Sequence, residues 1–215
     1  MKAMVSTLGV ALALPAAGQT IDGRERARAA LPSAVFEEVE QIAAAAARDG
    51  LPVRPLWDKA LEGGAKRVPA DRIASALAEY AARLGTARGA LGADLPAGAD
   101  ALQRGVPAPA LARVREGART PIALVVLADL VEAGVPVDRA VDVVRVALEQ
   151  RAPDEDMLAL AGQVRAAMRQ GQTPGAAADG LRRARREGRV RRIPPGADSA
   201  RPPTRPAPEP VTRGR

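Results

Sequence analysis

Apolar residues recur along this chain at helical spacing. Val35, Val39, Ile42 and Ala46 share one face of a stretch that follows Pro32, with Glu37 and Glu38 near its start, where carboxylates suit the positive end of a helix dipole. The spacing predicts a helix over 33–48, capped by Ser33 and stopped by Asp49 and Gly50. Ile73, Leu77, Tyr80 and Leu84 mark a longer helix after Pro69. Ile122, Val126, Leu130 and Val131 form a broad face after Pro121, in the most apolar segment, which is therefore expected at the centre. Val137, Val141, Val144 and Leu148 mark the next helix, and Met157, Leu160, Val164 and Met168 the one after it. Short helices are expected after Pro96, anchored by Leu102, and after Pro107, anchored by Leu111 and Val114. No stretch shows the period-two alternation of a half-buried strand.

Between these helices stands a repeated joint of glycine, apolar residue and proline: Gly50-Leu51-Pro52, Gly105-Val106-Pro107 and Gly134-Val135-Pro136. Glycine suits the left-handed position after a helix, the apolar residue folds back, and proline opens the next helix, where its missing N–H is not needed. Looser copies occur at Arg67-Val68-Pro69, Arg119-Thr120-Pro121 and Gln172-Thr173-Pro174. The expected fold is all-α: consecutive short helices joined by these turns and stacked as hairpins, solenoid-like, or as an irregular bundle.

The ends of the chain read differently. Lys2, the apolar run from Ala3 to Leu14, Pro15, and the small residues Ala16 and Gly18 before Gln19 have the layout of a secretory leader. The polar, Arg-bearing residues 19–32 read as a linker and 33–188 as the helical domain. From Arg189 the chain alternates Pro, Arg, Ala and Gly with little to bury, so 189–215 reads as a disordered tail. The address expected from the leader is periplasmic or secreted, and no later segment is long and apolar enough to span a bilayer.

Composition narrows the chemistry. The chain has 49 alanines but only Phe36, Trp57 and Tyr80 as aromatics, so the core is expected to be thin, and Trp57 is read as a packing anchor. There is no Cys and no His, which removes thiol nucleophiles, disulfides, imidazole bases and the usual zinc ligands. Ser33, Ser75 and Ser199 have no base to activate them, and the glycines at 63 and 64 lack the Lys and Ser/Thr of a phosphate loop. Asp154, Glu155 and Asp156 follow Pro153 at a predicted helix start and are better explained by the dipole than by a metal. No catalytic residue, cofactor or metal ligand is therefore assigned.

Charge is unevenly placed. Of the net +7, residues 181–215 carry eleven Arg against three carboxylates, or +8, leaving −1 for residues 1–180. Arg182, Arg183, Arg185, Arg186, Arg189, Arg191 and Arg192 are the candidate anion-binding residues, since the planar guanidinium fork suits phosphate. Without interleaved aromatics the run is a poor single-strand nucleic-acid site, and anionic lipid or lipopolysaccharide is the nearer target for an exported chain. The function expected is a non-catalytic interaction or scaffold protein whose main partner is another protein. The competing readings are an envelope glycan hydrolase or transglycosylase using carboxylates alone, and a nucleic-acid-binding protein acting through the tail.

Overall fold

Six helix ends among the described residues close in the same way. The backbone turns to a φ of 69°, 88°, 84° and 89° at Gly50, Gly105, Gly134 and Gly171, and to 55° and 50° at Arg67 and Arg151. Two nested hydrogen bonds then finish the helix. Leu51 and Gly50 donate their N–H groups to the carbonyls of Ala46 and Ala47 at 2.9 Å, and Val135 and Gly134 donate to Leu130 and Val131 at 3.0 and 2.9 Å. These bonds satisfy carbonyls that the ending helix leaves without partners, and glycine enters the left-handed turn at least cost. Leu51, Val106 and Val135, the apolar residues of the three full joints, are all buried.

Proline acts one position earlier than expected at most of these joints, and at Gly50-Leu51-Pro52 earlier still, Val53 being the N-cap of the next helix. Pro69, Pro136 and Pro153 are N-cap residues rather than first helical residues. Their carbonyls accept from Ile73, Ala140 and Met157 at 3.1, 3.0 and 3.0 Å. Pro32 does the same for Phe36 at 2.9 Å, so the cap is Pro32 and not Ser33. Among the described residues, only at Thr173-Pro174 is proline the first helical residue, and there Thr173 Oγ1 accepts from Ala176 N–H at 3.3 Å. Arg119-Thr120-Pro121 is not a joint of this kind. A 3-10 turn, Gly117–Arg119, leads into the helix, and buried Thr120 accepts from Glu116 N–H at 3.0 Å through Oγ1.

The computed structural model describes residues 17–188. The predicted leader up to Ala16 and the predicted tail from Arg189 lie outside these residues. The ten helices among them are α1 (Ala17–Ala30), α2 (Ser33–Arg48), α3 (Arg54–Ala65), α4 (Ala70–Leu91), α5 (Leu95–Gln103), α6 (Ala108–Arg113), α7 (Thr120–Glu132), α8 (Val137–Glu149), α9 (Asp154–Arg169) and α10 (Pro174–Arg186). The described residues contain no strand, and none of their helices is long and apolar enough to cross a membrane.

Residues 19–32, read from sequence as a linker, instead form most of α1, which packs on α3. The contact is made through small residues. Gly23 and Ala27 are buried one turn apart, and a Cβ at Gly23 would stand 3.4 Å from the Trp57 Cβ. Leu31, just beyond α1, is buried beside Gly64, where a Cβ would approach its Cδ2 to 2.5 Å. Arg24 pairs with Glu40, and the Arg24 and Arg28 guanidiniums lie 5.9 and 5.7 Å from the Phe36 ring centre.

Extensive packing joins each helix to the next or next-but-one: α1 to α3, α2 to α4, α4 to α6, α5 to α7, α6 to α8, α7 to α9 and α8 to α10. This is the pattern of stacked hairpins, in which the most extensive helix contacts lie within two helices along the chain. The buried residues form two clusters. The N-terminal one, around Val39, Leu56 and Leu84, holds all three aromatics, with Phe36 stacked on Trp57 at 5.9 Å. The C-terminal one is aliphatic, with Leu124, Leu127 and Leu130 of α7 fully buried, as the apolarity of that segment predicts. The clusters meet where α4 passes into α5: Leu91 belongs to one, Leu95 and Ala99 to the other.

Candidate functional site

Helices α3 and α4 carry cations at helical spacing, and the fold sets them facing one another. Lys59 and Lys66 on and just after α3, and Arg72 and Arg83 on α4, rim a groove of about 290 Å³. Its floor is the apolar face of α4, with Ile73, Leu77 and Tyr80, which the 3–4 spacing assigns to the core. Gly63 lets the helices approach closely, since a Cβ there would lie 3.0 Å from Ile73 Cγ1. Glu62 is the one carboxylate on the rim, and the hydrogen bond and charge of Lys66 hold its carboxyl below the usual range.

The rim cations differ in how they are partnered. Lys59 Nζ lies 4.4 Å from the Tyr80 ring centre and 3.7 Å from Asp100 Oδ1. Arg83 reaches Glu79 at 3.5 Å, while its Nε is buried without a hydrogen-bond partner. Arg72 makes no ion pair among the described residues. Burial, with Asp100 adding to it, pushes the Tyr80 hydroxyl up to about 12. The result is a trough in which three of the four rim cations are paired with carboxylates and Arg72 is left over. Sequence reasoning passed over these four cations, although residues 59, 62, 63 and 66 on one helix and 72, 76 and 83 on the next already lie at the spacing of one face.

The Arg run is divided by the fold. Arg182, Arg183, Arg185 and Arg186 lie on α10, whereas Arg189, Arg191 and Arg192 are outside the described residues. Arg183 and Arg186 are exposed, and Arg182 stands 4.0 Å from Asp179. Arg185, by contrast, is 5 % exposed and does not join a solvent-facing cationic cluster. It continues the face of Ala178 and Leu181, which α10 turns toward α8 and α9. Its Nη2 donates to the Asp156 carbonyl at 3.3 Å, and its own carbonyl accepts from Gln150 Nε2 at 2.8 Å. Burial lowers the Arg185 pKa, opposed by the charge of Asp156.

The other residues that the sequence singles out occupy structural positions. Asp154, Glu155 and Asp156 form the first turn of α9, with Asp154 3.3 Å from Arg119. The described residues contain no group of three metal-ligating side chains. Trp57 is 4 % exposed and packed on Phe36, and Ser75 lies exposed on α4. Comparison with protein-family models, with characterised proteins and with solved structures finds no match to this chain.

Proposed function

We propose that this chain is an exported, non-catalytic binding module whose α3–α4 groove receives an acidic, amphipathic segment of another protein. The observation that carries this reading is a groove with an apolar lining and Arg72 on its rim without an ion pair among the described residues. An apolar side chain of the partner rests on Val68 and Ala76, the accessible apolar residues above the buried floor, while a neighbouring carboxylate meets Arg72. Charge complementarity of this kind selects partners and speeds encounter more than it adds affinity. The groove holds one carboxylate, Glu62, and the cleft beside Arg185 also holds one, Asp156, whereas glycosidic chemistry uses two. That distribution supports a binding role over a hydrolytic one. The Arg-rich C-terminal stretch supplies a second, weaker attachment to anionic lipid.

The test uses a labelled peptide of alternating Glu and Leu residues and its Lys/Leu counterpart, with the full chain titrated into each and read by fluorescence anisotropy. The acidic peptide binds and the basic one does not. The Lys59→Glu/Arg72→Glu variant weakens binding by about tenfold or more, whereas Arg169→Glu, which reverses an exposed charge on α9, changes it little. Equal weakening by groove and α9 variants would show general charge attraction and overturn the assignment to the groove.

A further inference from the structure

Arg185 poses a problem that the interior of this protein does not solve. A guanidinium has five N–H donors and keeps its charge, and burying it is costly unless a counter-charge and acceptors surround it. Here the residue is 5 % exposed, its Nε is buried with no partner, and its side chain's one hydrogen bond among the described residues is the 3.3 Å contact to the Asp156 carbonyl. It makes no ion pair among these residues.

The residue lines a cleft of about 260 Å³ where the α8–α9 joint meets the end of α10. A second cation, Arg151, and the amide-bearing Gln150 line the same cleft, with Asp156 as its one carboxylate. Arg151 is held there by the joint itself, being the residue with a φ of 50° that takes the place glycine has elsewhere. Gln150 is fixed from the other side by its hydrogen bond to the Arg185 carbonyl. The adjoining start of α9 has Pro153 at its N-cap and no side-chain cap for its first N–H groups.

We infer that this cleft is a binding site for a small oxyanion, a phosphate group, clasped between the Arg185 and Arg151 guanidiniums. The two cations exceed the single carboxylate, and the space is several times that of one water molecule, whose share of liquid volume is about 30 Å³. The buried Arg185 supplies the directional, desolvated contact, and Arg151, at the exposed edge, closes over the anion. Asp156 tempers the site and favours a ligand that brings several acceptor oxygens over one that brings charge alone. This site is independent of the α3–α4 groove, on a different pair of helices and in the other cluster.

Isothermal titration of the full chain with inorganic phosphate at low ionic strength tests the inference, with glycerol phosphate as a second arm for a lipid-headgroup source. The expected result is saturable one-site binding of phosphate. Arg185→Met weakens it by about tenfold or more, since it removes a buried charge-assisted contact. Arg151→Ser, at an exposed position, weakens it several-fold and keeps the helical fold, so the site remains testable if Arg185→Met does not fold. Arg182→Ser/Arg183→Ser binds like the parent chain. Tighter binding of glycerol phosphate than of phosphate assigns the site to a phosphoryl headgroup, and the reverse assigns it to free phosphate. Absence of saturable binding, or equal loss in Arg182→Ser/Arg183→Ser and Arg151→Ser, overturns the inference.

Discussion

Gly98→Ala is the substitution that tests how the two halves of the fold are joined. Gly98 is buried in α5 against α4, at the point where the two apolar clusters meet. A Cβ there would lie 2.7 Å from Leu91 Cδ1 and 2.8 Å from Ala87 Cβ. The leucine methyl can rotate away. The alanine Cβ cannot, because it is fixed to the α4 backbone, so the helices must separate. Overpacking of this kind costs about 1–3 kcal/mol, while replacing a helical glycine by alanine returns about 1 kcal/mol through propensity. The net loss is up to about 2 kcal/mol, or a Tm lower by up to roughly 8 °C in a chain of this size. Urea unfolding followed by far-UV circular dichroism and by the fluorescence of Trp57, the only tryptophan, reads it as a lower midpoint at unchanged slope. A raised midpoint is what propensity alone dictates, and it would refute the close packing of α4 on α5.

Three further outcomes are expected. Gly134→Ala loses about 1–2 kcal/mol because its φ of 84° strains an L-residue, although Pro174 Cγ at 3.6 Å leaves room for the methyl; Gly85→Ala, with nothing within 4 Å, gains about 0.5–1 kcal/mol. Thermal unfolding of the two variants should thus move in opposite directions, and a shift of the same sign would contradict the joint geometry. Thr120→Val keeps the shape of a buried side chain but removes the acceptor of the Glu116 N–H, so chemical denaturation should show a loss of about 1–2 kcal/mol. The Tyr80 hydroxyl, pushed up to about 12, holds its proton in the folded state after the unfolded chain has released it at about 10. Its contribution is complete below pH 10 and is lost as pH rises through 12, on the order of 2–3 kcal/mol, and Tyr80→Phe should flatten that part of the stability profile. Phenolate absorbance reads the titration directly, since the chain has one tyrosine.

The joints were legible because they depend on three neighbouring residues and on backbone conformation, which a sequence displays openly. The faces of α2, α4, α8 and α9 were legible for the related reason that large aliphatic residues recur every three or four positions. Helix α1 was not, since its buried face is made of Gly23 and Ala27, whose small side chains leave a polar, Arg-bearing segment with almost no periodic signal. Arg67 and Arg151 at left-handed turns were hidden because nothing in an arginine announces a positive φ. The α3–α4 groove needed two helices to be set side by side before Lys59 and Arg72 could be seen to share a rim. Arg185 shows the opposite error: it lies in a run of like residues, and only the packing of α10 separates it from Arg183 and Arg186.

The near-neighbour packing of the helices bears on how the chain reaches its folded form. Each helix meets its partners within the next two, so a chain emerging amino end first, from a ribosome or a translocation channel, exposes an apolar face only until about thirty more residues have followed. The α1–α3 and α2–α4 contacts can form while the segment of α7 to α10 is still extended. The arrangement thus suits folding that closes progressively behind the exit point, each helix meeting its main partners soon after it emerges.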